Sequence, residues 1–226
     1  MVAGVLPHPP ALVPEATGRR SGELAGLRAS CERVVRRLFA ARPELLVVVG
    51  DGQRTESHRG PVAGSLRPFG LDLTFGTGEA VLPPALTLGR WLLGQRAEQV
   101  PLHFESVARD LPPGDCAALG ADVAARAPRT ALMAMGDGSA CRDEEAAGYY
   151  EPDAVDHDDR VAAALRGGDT AALAALDPGA AARLLVAGRA SWQVLAGAAG
   201  DGPARAELLD YEAPYGVGYF AASWEF

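Results

Sequence analysis

Short blocks of consecutive apolar residues punctuate this chain, and the segments between them carry apolar positions every three or four residues. VAGVL (2–6), LLVVV (45–49) and TALMAM (130–135) show no polar alternation. That is the pattern of strands covered on both faces. ELAGLRASCERVVRRLF (23–39) instead places Leu24, Leu27, Cys31, Val34, Val35 and Leu38 at helical spacing with arginines opposite. It predicts an amphipathic helix, which Pro43 ends. Further helices are predicted over 84–94, 116–127, 156–166, 170–176 and 179–199, and strands over 71–75 and 100–104. Residues 208–224 read as two strands around Pro214-Tyr215-Gly216. The stretch 50–70, rich in Gly, Arg and Ser, predicts a long loop, and the acidic stretch 142–155 predicts another.

Strands alternating with helices predict an α/β fold, a three-layer α/β/α sandwich with a mostly parallel central sheet. An antiparallel closing pair makes that sheet mixed. No solenoid repeat and no long linker divides the chain, so one domain over 1–226 is expected. In open α/β sheets ligands bind beyond the carboxyl ends of the strands. Three apolar runs end in polar turns there: GVLPH, VVVGDG and MAMGDGS. If they are parallel neighbours, His8, Asp51, Asp137 and Ser139 share one rim. Asp51 and Asp137 serve equally well as acceptors of backbone N–H groups in turns, and His8, held between prolines, as a hydrogen-bonded structural histidine.

Composition narrows the functional classes. The formal charge is −8 with no basic block, which argues against nucleic acid and anionic membranes as partners. All 21 basic residues are arginine. The absence of lysine excludes a Schiff-base lysine and a Walker A phosphate loop. Cys31, Cys116 and Cys141 are distant from one another and form no CxxC pair, so free thiols are expected rather than disulfides or a zinc site. No run reaches the roughly 18 apolar residues of a membrane span, and the opening residues lack a basic leader. A soluble, cytoplasmic protein is the expectation. GDGSA is not GxSxG and has no evident paired histidine, which argues against a serine triad at Ser139. His103 is expected to be structural, and His157, among aspartates in DAVDHDDR, to sit on a solvated acidic face.

Four stretches carry a family resemblance: GVLPHPPALVPE (4–15), LPPALTLGRWLL (82–93), MGDGSACRDEEAAGYYEPDA (135–154) and YEAPYGVGYFAASW (211–224). The first resembles the start of the class III extradiol ring-cleavage dioxygenases, the LigB-like proteins related to Memo-like proteins. The other three resemble a bacterial subgroup of the same LigB-like family. The resemblance implies an α/β/α fold and, in active members, non-haem Fe(II) held by two histidines and a carboxylate, open to a catecholate and O₂. A further histidine acts as acid and base near the substrate.

Carried over residue by residue, His8 matches the first metal histidine. The second falls at about Gly52, which leaves Asp51 as its substitute, with His58 six residues on. The acid/base histidine follows a Gly-Asp-x-Ser-like turn; here Gly136-Asp137-Gly138-Ser139 is followed by Ala140, so Asp137 and Ser139 are what remains for catalysis. The late glutamate precedes the tryptophan of GRASWQVLAG, where Gly188, Arg189, Ala190 and Ser191 offer no carboxylate. Glu79 or Glu212 could supply a further ligand. Tyr215, in a Pro-Tyr-Gly turn, and His58 are expected to line the pocket with Asp51. Three readings follow. One is a divergent metal-dependent dioxygenase using Fe(II) or another divalent ion on a small aromatic molecule. The second is a repurposed LigB-like protein without stoichiometric iron, its cleft serving as a binding module or facing a second protein chain, in a homodimer or a mixed complex. The third is another metal-assisted chemistry, such as hydrolysis by a carboxylate-bound ion.

Overall fold

The computed structural model describes the chain apart from Ser21 and the side chain of Arg19. Its strands are β1 (Val2–Leu6), β2 (Leu45–Gly52), β3 (Glu56–Arg59), β4 (Val62–Ser65), β5 (Thr74–Gly76), β6 (Glu79–Leu82), β7 (Leu102–Ala108), β8 (Thr130–Met135), β9 (Arg205–Glu212) and β10 (Tyr219–Glu225). Its helices are α1 (Pro14–Thr17), α2 (Ala25–Ala40), α3 (Pro84–Leu93), α4 (Pro113–Ala125), α5 (Ala154–Gly167), α6 (Thr170–Ala174), α7 (Pro178–Arg183) and α8 (Arg189–Ala199). Seven strands form the central sheet in the order β3-β7-β2-β8-β1-β10-β9. The inner strands β7, β2, β8 and β1 run parallel. Strands β3, β10 and β9 pair antiparallel at the flanks.

Both faces of this sheet are covered, which explains the unbroken apolar runs. Along β2, Leu45, Val47 and Val49 enter the core on one face with Trp192, Val194 and Leu195 of α8. Leu46 and Val48 enter the core on the other face with Val34, Val35 and Leu38 of α2 and Leu86 of α3. Strand periodicity of two divides each run between two cores. The α/β/α sandwich with a mixed, mostly parallel sheet is therefore the fold. Among the described residues no helix is long and apolar enough to cross a membrane. The three cysteines are free and buried.

Two predicted elements and the setting of one residue are corrected. The expected loop 50–70 contains β3 and β4, and β4 joins β5 and β6 in a second, three-stranded sheet. Such short strands, poor in β-branched residues, leave little periodic signal, and long-range pairing supplies what propensity lacks. The expected helix 179–199 is two helices, α7 and α8. The chain turns between them at Leu185, whose φ is +53°, a conformation that costs an L-residue energy and stops a helix. His157 is on α5 but buried, not on a solvated face.

Helices α4 and α8 touch backbone to backbone. A Cβ at Gly197 would strike the main chain of Ala117. Backbone cannot rotate aside as a side chain can, so the clash outweighs the helix propensity that alanine gains. Gly197→Ala is expected to lower stability by about 1–3 kcal/mol, read as a lower urea midpoint; an unchanged or raised midpoint would contradict this packing.

Candidate functional site

The order β2-β8-β1 places the carboxyl ends of three parallel strands side by side. His8 follows β1, Asp51 lies near the end of β2, and Asp137 follows β8. Asp51 belongs to the strand itself, opposite Val107 of β7, rather than to a turn. The three residues meet. His8 Nε2 is 3.1 Å from Asp51 Oδ1, and His8 Nδ1 is 3.7 Å from Asp137 Oδ1. Asp137 Oδ1 also accepts the backbone N–H of His8 at 2.8 Å, tying the Pro-His-Pro turn to the end of β8. Beyond Asp51, Arg109 Nε donates to Asp51 Oδ2 at 2.6 Å.

His8 and Asp51 lie at a cavity of about 750 Å³. Ser106, Arg109 and Asp110 bound it from β7 and the turn beyond, and Val81, Pro83 and Pro84 from β6 and the start of α3. Gln53, Arg54 and Glu56 complete the wall leading into β3. The second sheet, absent from the predicted fold, thus supplies part of this wall.

The charges are ordered by burial. Burial alone would lower the His8 pKa, but Asp137 and then Asp51 outweigh it and raise it to about 9. Burial alone would raise Asp51, but His8 and Arg109 hold it down at about 2. Burial pushes Asp137 above the ordinary carboxylate range, with His8 as the main counterweight. At neutral pH the site is an imidazolium clamped to an ionised Asp51, with Asp137 the softer carboxylate behind it.

The other expected site residues lie elsewhere. Ser139 is fully buried; its Oγ donates to the carbonyl of Leu184 at 2.8 Å and its N–H donates to Asp158 Oδ1 at 2.8 Å. It fastens the loop after β8 and does not reach the cavity. His58, on β3, sits 3.6 Å from Glu56 and is not among the residues bounding the cavity. The Tyr215 hydroxyl donates to Glu23 at 2.9 Å, with the Arg20 guanidinium 5.8 Å from its ring centroid. It caps the neighbourhood of α2 instead of lining the cleft. Sequence reasoning missed Arg109, Arg54 and Ser106. Arg109 had a usable signal: it follows an apolar strand at the same carboxyl edge, but only once that strand is extended to Ala108.

An iron site of two histidines and a carboxylate does not fit these donors. His8 Nε2 faces Asp51, Asp51 Oδ2 accepts from Arg109, and Asp137 Oδ1 accepts from the main chain. Among the described residues no cluster of three or more His, Cys, Asp or Glu side chains is placed to hold a metal. Glu79 and Glu212 do not bound the cavity. At Gly52, the position the resemblance assigns to the second histidine, a Cβ would run into the Ser106 hydroxyl. That hydroxyl donates to the carbonyl of Arg54 at 2.8 Å, so the space of a histidine is already in use.

The fold and cleft together define an α/β/α protein with a polar cavity at the carboxyl edge of its sheet. The chain matches no family model, and it matches no curated protein. Among solved structures it is similar to the uncharacterized protein JW3007 of Escherichia coli K12, with a TM-score of 0.64 and 16% identity over 99% of this chain and 99% of that one. Likeness at that identity speaks for the fold.

Proposed function

We propose that this chain is a divergent LigB-like protein, related to the class III extradiol dioxygenases, whose cleft binds a small anionic molecule without a resident iron. One observation carries the reading. The side chains that would begin a metal site are instead engaged with one another and with a cation, as His8–Asp51–Arg109, at 3.1 Å and 2.6 Å. The same chain of contacts prepares a receptor. Asp51 holds Arg109 by its Nε, and the rest of the guanidinium, on a side chain 70% exposed, stays open to the cavity. A guanidinium fixed in this way presents a planar fork to a carboxylate. Val81, Pro83 and Pro84 offer an apolar wall for the body of the ligand, which suits an aromatic acid.

The test uses 3,4-dihydroxybenzoate as the probe in calorimetry, with and without chelator. Binding is expected to be indifferent to chelator. Arg109→Gln is expected to weaken it roughly tenfold, the loss of one charge-assisted contact. Stoichiometric iron after anaerobic reconstitution, with catechol-dependent O₂ uptake, would overturn the proposal in favour of the metal-dependent dioxygenase.

A further inference from the structure

Arg189 opens α8 and is 1% exposed, so its guanidinium lies inside the protein. Three costs attach to that placement. A buried charge gives up its hydration. The first turn of a helix carries the positive end of the helix dipole, which disfavours a cation. None of the hydrogen-bond partners of Arg189 among the described residues is a carboxylate. Well-packed apolar side chains of similar volume serve stability as well or better, so this arginine has a reason beyond packing.

Its partners supply that reason. Arg189 Nη1 donates to the carbonyl of Leu111 at 2.7 Å, and Nη2 donates to the carbonyl of Arg109. One planar fork thus holds two carbonyls of the turn that follows β7. The Leu111 N–H closes the same turn by donating to the carbonyl of Ala108 at 3.0 Å. Arg189 is itself held in place. Its Nη1 also donates to Gln193 Oε1 at 2.8 Å, one helical turn further along α8. Gln193 Nε2 donates to the carbonyls of Ala174 and Leu176, both at 2.9 Å. A chain of contacts therefore runs from the α6–α7 segment through Gln193 and Arg189 to the main chain of Arg109. From there the Arg109 side chain reaches Asp51 at 2.6 Å, on the wall of the cavity. Arg109 is held at both ends, its Nε by Asp51 and its carbonyl by Arg189.

We propose that Arg189 is a positioning residue for the anion receptor, fixing the 109–111 turn so that Arg109 meets Asp51 and offers its remaining N–H groups to a carboxylate. The inference rests on the reading of Arg109 as that receptor. The Arg109 side chain is 70% exposed, and a long side chain left loose loses rotamer entropy at each binding event. Holding the Arg109 carbonyl fixes the peptide plane at its Cα, and so the direction in which the side chain leaves the main chain. A lysine at position 189 would present a point charge in place of the fork.

Two readouts test this on the full chain. The first needs no ligand. The Arg109 Nε–H, bonded to Asp51, gives a slowly exchanging side-chain NMR signal, assigned by its loss in Arg109→Gln. Arg189→Met keeps an unbranched chain and removes the fork; it is expected to speed exchange of that proton roughly tenfold, with Arg189→Lys in between. Where Arg189→Met fails to fold, Arg189→Lys, which keeps the charge, carries the same comparison. The second readout compares 3,4-dihydroxybenzoate with its neutral amide, 3,4-dihydroxybenzamide, in calorimetry. The native chain is expected to favour the carboxylate roughly tenfold. Arg189→Met is expected to erase most of that preference while changing amide binding less than about twofold, and to add nothing in the Arg109→Gln background. A residue that only supported the fold would weaken both probes alike. Unchanged exchange of the Arg109 signal in the position-189 variants, equal weakening of both probes, or a further loss of preference in the Arg109→Gln background would each overturn the proposal. A native chain without preference, in which Arg189→Met still quickens Arg109 exchange, would uphold the positioning role and overturn the receptor reading alone.

Discussion

Asp51→Ala is expected to cost about 3–5 kcal/mol of folding stability, the usual penalty for stripping one partner from a buried ion pair. Asp51 is 6% exposed and neutralises both His8 and Arg109. Its removal leaves the imidazole with no carboxylate at Nε2 and frees Arg109 to swing out. Urea unfolding measures the loss, and a double-mutant cycle with His8→Ala assigns it. A coupling energy within experimental error of zero would show that the contact is incidental. The pH profile carries the same signature. His8 has its pKa raised from 6.5 to about 9, so its contribution is complete below pH 6.5 and lost as pH rises through about 9. Asp51 is lowered from 3.8 to about 2, so its contribution is complete above pH 3.8 and lost as pH falls through about 2. The pair therefore stabilises most between these limits.

Asp158→Ala is the second large effect, expected at about 3 kcal/mol. Asp158 is fully buried, accepts the Ser139 N–H at 2.8 Å and pairs with Arg142 at 2.9 Å. Arg142 also donates to the Tyr211 hydroxyl at 2.6 Å, which donates on to Asp159 at 2.7 Å. This network holds the loop that carries Asp137, so Asp158→Ala is expected to weaken probe binding at the cavity as well. Asp158→Asn separates charge from hydrogen bonding, because the amide oxygen still accepts from Ser139. Burial raises the Asp158 pKa from 3.8 to about 6, against the pull of Ser139 and Arg142. Its favourable term is complete below pH 3.8 and lost as pH rises through about 6. The native chain should thus lose stability relative to Asp158→Asn across that interval. Parallel stability curves for the two proteins would refute the assignment.

The legible parts of the chain were those whose signal is local. VAGVL, LLVVV and TALMAM became β1, β2 and β8 because a doubly covered strand is apolar at every position. The α2 stripe from Leu24 to Leu38 is buried as its spacing predicted. His8, Asp51 and Asp137 were legible as a group because parallel strands bring their carboxyl ends to one edge. Ser139, His58 and Tyr215 were not placed correctly by the same logic. A residue just beyond a strand end turns either into the cleft or into the layer beneath, and partners distant in sequence decide which: Leu184 for Ser139 and Glu23 for Tyr215. Arg109 joins the site through Asp51, 58 positions away, a pairing no local pattern encodes.

Local patterns in the chain were enough for the layered α/β architecture and for the strand ends where polar residues collect. That His8 is bound to Asp51, that Asp51 is bound to Arg109, and that a second small sheet walls the cavity came only with the folded arrangement. The physical reason is range. Periodicity reports which face of an element is buried, whereas the protonation and availability of a side chain depend on charges brought within a few ångströms by chain folding.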